Sequence, residues 1–88
     1  RYVMIKHKFD LTHLKGRGGI EAAIKRVVNV FDDARLNTAD GVCVDFDDGW
    51  VHLRPSNTEP IARLIAEAET DSRAWELIDE VAVAGRLQ

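Results

Sequence analysis

The chain has a single cysteine, Cys43, among its 88 residues. No internal disulfide can form, so nothing requires an oxidising compartment, and a cytoplasmic home is the expectation. No apolar run approaches the roughly 20 residues that a membrane helix needs. The N-terminus also lacks the charged-then-apolar pattern of a signal peptide, so no membrane partner is expected. Positive charge is in short supply too: 12 Lys and Arg stand against 15 Asp and Glu, a formal net charge of −3. Broad, salt-driven attraction to nucleic acid is therefore not expected. Any anion bound here has to be held by a local arrangement of donors. The chain opens on Arg1 without an initiating methionine, which suggests a piece cut from something longer.

What remains is an ordinary globular composition, 45% hydrophobic and 31% charged, enough for one small domain spanning residues 1–88. From Tyr2 to Leu11 the residues alternate in part, with Val3, Ile5 and Phe9 on one face and Lys6, Lys8 and Asp10 on the other. That is the period of a strand, broken at His7, and the stretch reads equally as partly a linker from a preceding domain. After Lys15-Gly16-Arg17-Gly18-Gly19, the spacing of Ile20, Ala23, Ile24, Val27, Val28 and Phe31 predicts an amphipathic helix that stops near Asp32-Asp33. A short strand is expected near Arg35–Thr38. Val42, Val44 and Phe46 alternate with Cys43, Asp45 and Asp47, and Trp50 to Arg54 alternates again. Asp48-Gly49 between them reads as a two-residue hairpin loop. That register sets Asp47 opposite Trp50, Phe46 opposite Val51, Val44 opposite Leu53 and Cys43 opposite Arg54. Val42, Val44, Phe46, Val51 and Leu53 then share the core face. Ile61 to Ala68 reads as a further strand. Thr70 is a candidate cap for a second helix with Ala74, Leu77, Ile78 and Val81 on its apolar stripe. The predicted class is α+β: a small, mostly antiparallel sheet with two helices on one face.

Both prolines of the chain bracket one loop, Arg54-Pro55-Ser56-Asn57-Thr58-Glu59-Pro60. Ser56 and Thr58 supply hydroxyls and Asn57 an amide. A turn of this kind can aim backbone N–H groups into one concave spot. Arg54 adds a planar fork that matches two phosphate oxygens, and Arg63 lies close by at the start of the next strand. The prolines restrict the loop ends, so less ordering entropy is lost on binding. The same residues also read as a structural turn, with hydroxyls capping their own backbone and Arg54 paired to Asp45 or Asp47.

The string Asp40-Gly41-Val42, then Asp48-Gly49-Trp50-Val51-His52-Leu53-Arg54-Pro55-Ser56-Asn57-Thr58-Glu59-Pro60, then Arg63 and Glu67-Ala68, closely resembles the C-terminal domain of the α-D-phosphohexomutases. That superfamily includes phosphomannomutase/phosphoglucomutase and phosphoglucosamine mutase. The similarity follows the element order of the whole chain and is most specific over Asp40 to Ala68. It implies a sheet-and-two-helix shape like that of the TATA-box-binding protein, with no DNA binding attached to the shape. It also implies that Arg54, Ser56, Asn57 and Thr58 contact the substrate phosphate that is not being transferred, with Arg63 a further candidate. The implied reaction interconverts hexose 1-phosphate and hexose 6-phosphate through an enzyme phosphoserine. Mg2+ and a hexose 1,6-bisphosphate activator are implied for the full-length enzyme, and no cofactor for this domain. The nucleophilic serine, the magnesium loop and the sugar-reading loop of the family find no match here. The expected partners are thus a hexose phosphate and preceding domains of the same chain, and the fragment alone is expected to be inactive. The Asn57 form of the loop, preceded by Trp50-Val51-His52, leans slightly to the phosphomannomutase/phosphoglucomutase branch, with the phosphoglucosamine mutase branch, and so mannose, glucose and glucosamine phosphates, all left open.

Two other classes stand as alternatives. One is a protein-interaction or regulatory domain that keeps the mutase shape without the ligand; the intact loop argues against it. The other is single-stranded nucleic-acid binding on the open sheet face, which the acidic balance disfavours. Gly16-Arg17-Gly18-Gly19 lacks the spacing of a nucleotide fingerprint and reads as a turn. His7, His13 and His52 lack metal-site spacing. Asp45, Asp47 and Asp48 lack a calcium-loop pattern. Cys43 lies near acids, which does not favour a thiolate. Trp50 and Trp75 read as packing or domain-interface residues.

Overall fold

The computed structural model describes residues 2–12, 19–56 and 60–87. The expectations for His13 and for Lys15 to Gly18 lie outside them. Five strands form one sheet: β1 (Val3–Asp10), β2 (Leu36–Asn37), β3 (Val42–Phe46), β4 (Gly49–Pro55) and β5 (Ile61–Ala68). Their order is β1-β5-β4-β3-β2, and every pairing is antiparallel. Helix α1 (Gly19–Val30) follows β1, and α2 (Asp71–Gly85) closes the chain. The α+β class and the two helices agree with the sequence reading.

Period-two alternation divides the sheet into an inner and an outer face. Val42, Val44, Val51, Leu53, Ala62, Leu64, Ala66 and Ala68 are fully buried on the inner face. Ala23 and Val27 of α1 and Ala74, Leu77, Ile78, Val81 and Ala82 of α2 complete the core. The small residues matter where the two helices meet. A Cβ at Gly85 would stand 3.2 Å from Val27 Cγ2 and 3.5 Å from the Ala23 carbonyl oxygen. The predicted cap of α2 is present, with the Thr70 hydroxyl accepting from the Arg73 N–H at 3.1 Å. At the other end Arg86 adopts a left-handed conformation (φ 56°). The N–H groups of Arg86 and Leu87 reach back to Val83 and Ala82, and the Leu87 side chain closes over the core.

Two expectations need correction. His7 does not interrupt β1: it lies on the inner face, its ring 4.7 Å from that of Phe9 and 5.2 Å from that of Trp75. The hairpin also turns earlier than the Asp48-Gly49 signal implies. Phe46 pairs with Gly49, Asp45 with Trp50, Val44 with Val51, Cys43 with His52 and Val42 with Leu53, so Asp47 and Asp48 make the loop. The reason lies on the other side of β4. Gly49 also pairs with Ala68, and a Cβ there would run into the Glu67 carbonyl oxygen and approach Leu77 Cδ1 to 2.9 Å. Glycine is required here for close approach of β5 and α2, not for turn conformation. The slip is an even one, so the core face is the one expected.

Candidate anion site on the outer sheet face

Arg54 ends the polar row of β4, directly opposite Arg63 of β5. The next pair is Pro55 and Ala62. The Ser56 N–H then donates to the Ile61 carbonyl at 3.1 Å, and the Pro60 carbonyl accepts from the Leu11 N–H at 2.7 Å. These bonds fix both ends of the loop against β5 and the end of β1. Asn57, Thr58 and Glu59 lie outside the described residues. The Ser56 N–H is thereby engaged with Ile61.

Arg54 is oriented from a third element. Its Nε forms an ion pair with Asp40 Oδ2 at 3.2 Å, both side chains remaining about half exposed. The Asp40 carbonyl oxygen lies 2.6 Å from His52 Nε2. Asn37 Oδ1 accepts from the Ala39 N–H at 3.0 Å, bending the chain before Asp40. Gly41 follows at φ +66°, where a Cβ would meet the Leu53 carbonyl oxygen. The Asp40-Gly41 turn is thus pressed onto β4 beside Arg54. Arg54 does not pair with Asp45 or Asp47, as the structural reading of the loop had it. Arg35 instead donates to the Asp45 carbonyl and to Asp47 Oδ1, at 3.3 and 3.5 Å.

Between these groups lies a cleft of about 410 Å³ lined by Lys6, Arg54, Pro55, Ser56, Arg63 and Ile65. It brings together three of the five residues singled out from sequence: Arg54, Ser56 and Arg63. Lys6, Ile65 and Asp40 were not among them. The signal for Lys6 was its place on the polar face of β1, but only the pairing of β1 with β5 carries it to this cleft.

Among the described residues the remaining polar groups do not converge on a second centre of this kind. Asp48 is held by Arg73 through Nε–Oδ2 and Nη2–Oδ1 contacts of 2.7 and 3.3 Å. Those hydrogen bonds hold its carboxyl below its ordinary range. Burial, and then Asp45, push the Cys43 thiol upward. Among the described residues no group of three or more His, Cys, Asp or Glu could hold a metal ion. No described helix is long and apolar enough to cross a membrane.

Residues 10–84 match the family model described as "Phosphoglucomutase/phosphomannomutase, C-terminal domain". The chain belongs to this family. A probable phosphoglucosamine mutase of Methanopyrus kandleri is 53% identical over 62% of this chain and 12% of its own length. Another, from Thermococcus gammatolerans, is 35% identical over 91% of this chain and 18% of its own. A phosphoglucomutase/phosphomannomutase of Thermococcus kodakarensis is 44% identical over 51% of this chain and 10% of its own. The mutase domain seen here therefore spans less than a fifth of each of these relatives. A crystal structure of a phosphoglucomutase/phosphomannomutase family protein from Burkholderia thailandensis superposes with a TM-score of 0.63. It covers 98% of this chain and 18% of its own, at 20% identity, and shares the fold.

Proposed function

We propose that this mutase domain holds the phosphate of a hexose phosphate that is not being transferred, in an enzyme that interconverts hexose 1-phosphate and hexose 6-phosphate. The observation that supports this most is the register that sets Arg54 beside Arg63 at the base of the Ser56 loop. Two guanidinium groups and a hydroxyl converge there on one open cleft. A phosphate presents similar oxygens from either end of a bisphosphate, so one clamp serves both orientations of the sugar. Asn57 and Thr58 would close over the anion from the loop. Transfer to and from a phosphoserine, and any Mg2+ or hexose 1,6-bisphosphate, would involve residues beyond this chain. The described residues offer no metal-holding group. A remote clamp still matters to rate, because phosphoryl transfer depends on positioning. The hexose is assigned no further, since relatives of both the glucosamine and the glucose/mannose kind align here.

The test is an amide NMR titration of the chain with glucose 1-phosphate, repeated with Arg54→Ala. Saturable shifts at Ser56, Arg63 and the loop between them, lost in the variant, are expected. A folded chain that shows no shift there at millimolar ligand would overturn the assignment.

A further inference from the structure

The basic cleft does not end at β5. Lys8 of β1 stands directly opposite Arg63, which on its other side stands directly opposite Arg54. Three cations therefore form one row across β1, β5 and β4 on the exposed face. Lys6 lies diagonally from Arg63 and lines the same cleft as Arg54 and Ser56. Directly opposed side chains have Cβ atoms about 4.5–5.5 Å apart and diagonal ones about 7–8 Å, both within reach of long cationic side chains. We propose that Lys6 and Lys8 are phosphate-binding residues, so that the anion site spans three strands and takes a phosphate monoester dianion between β1 and β4. The proposal rests on the phosphate reading of the loop and adds to it a strand that reading does not use.

Electrostatics gives the reason. Like charges directly opposite one another oppose strand pairing. This chain carries more acids than bases, yet it places two such contacts in a single row. Among the described residues Lys6, Lys8 and Arg63 take part in no ion pair. Of the acids on this face, Asp40 offsets only the Arg54 end of the row, Asp10 accepts from the Thr12 N–H at 2.8 Å, and Glu67 accepts from Trp50 Nε1 at 3.2 Å. A dianion seated in the cleft would turn the mutual repulsion of the row into shared attraction. The competing account is that lysines on β1, an edge strand, discourage pairing with another chain. That account explains cations on β1 but not their placement opposite Arg63.

The two accounts separate in a titration of the chain with inorganic phosphate and with glucose 1-phosphate at low ionic strength. The variants are Lys6→Gln, Lys8→Gln and the double substitution, with Lys25→Gln on α1 as the charge control. Each single substitution in β1 should weaken binding about two- to fivefold and the double about tenfold, the range for exposed charge contacts. Lys8→Arg should bind nearly as well as the parent, and Lys25→Gln should bind like it. If the double variant binds as the parent does while Arg54→Ala does not bind, the β1 lysines only guard the edge; this proposal falls and the loop assignment stands. If the folded parent chain binds neither anion, both fall together.

Discussion

Substituting Gly49→Ala isolates a steric argument from a conformational one. Among the described residues only Gly19, Gly41 and Arg86 have positive φ, so alanine at 49 meets no backbone strain. Its Cβ would, however, collide with the Glu67 carbonyl oxygen, approach Leu77 Cδ1 to 2.9 Å and approach Ala68 Cβ to 3.3 Å. Overpacking of this kind costs about 1–3 kcal/mol. The obstructing oxygen belongs to the β5 backbone, so relief means moving a strand and losing up to one ladder hydrogen bond, about 1 kcal/mol. Reduced freedom of the unfolded chain offsets about 0.4–1 kcal/mol. The net expectation is a loss of about 2–3 kcal/mol from a total near 4–13 kcal/mol for a chain this long. Urea unfolding followed by tryptophan fluorescence reads it. With an m-value near the low end for small domains, about 1 kcal/mol/M, the midpoint falls by about 2–3 M. Adding Leu77→Ala removes the side-chain part of the clash but not the backbone part, so the two costs should couple and the loss should be relieved in part at most. A midpoint unchanged within about 0.5 M, or a full rescue by Leu77→Ala, refutes the backbone-collision account.

Two further outcomes follow from the polar groups away from the cleft. Asp48 titrates below its ordinary 3.8 because Arg73 hydrogen-bonds its ionised form. Its stabilising contribution is therefore present above that value and lost as pH falls through the lower folded value; thermal melts of Arg73→Gln should show a shallower acid limb than the parent below pH 3.8. The Cys43 thiol, raised by burial and by Asp45, should react with iodoacetamide more slowly at neutral pH than a free peptide cysteine, and Asp45→Asn should speed it modestly; a rate above that of the free peptide would contradict the raised value.

The fold was legible where one periodicity held over a whole element. The β3 and β4 alternation, the α2 stripe and the Thr70 cap all rest on local chemistry, and each is where the spacing puts it. The hairpin register was not legible, because its cause is not local. Gly49 is fixed by the Glu67 carbonyl and Leu77, residues 18 and 28 positions away, while the Asp-Gly pair signals only a turn nearby. His7 was misread for a related reason: a polar ring looks out of place on an apolar face until Trp75 of α2 is seen against it. In the cleft, residue types marked Arg54, Ser56 and Arg63, since anion chemistry is carried by side-chain identity. Lys6 and Asp40 are brought in by strand order and by the Gly41 turn, which no spacing along the chain encodes.

If the cationic row exists to meet an anion, it should cost stability when none is present, and Arg63→Gln tests this because Arg63 faces a cation on both sides. Cross-strand like-charge pairs are each unfavourable by roughly 0.2–1 kcal/mol, with exposed pairs near the bottom of that range. Asp40 partly neutralises Arg54, so the Lys8 contact should carry the larger share. Removing both contacts should then stabilise the ligand-free chain by about 0.5 kcal/mol, a rise in melting temperature of about 2–4 °C for a domain of this size. The gain should shrink in high salt, where exposed charges are screened within about 3–8 Å. Phosphate should reverse the order, because a ligand that binds only the folded state raises its stability in proportion to RT ln(1 + [L]/Kd). The parent should therefore melt below Arg63→Gln without phosphate and gain more than the variant as phosphate is added. An Arg63→Gln chain that is less stable than the parent in low salt, without ligand, would mean that Arg63 contributes to the fold rather than to an unfilled anion site.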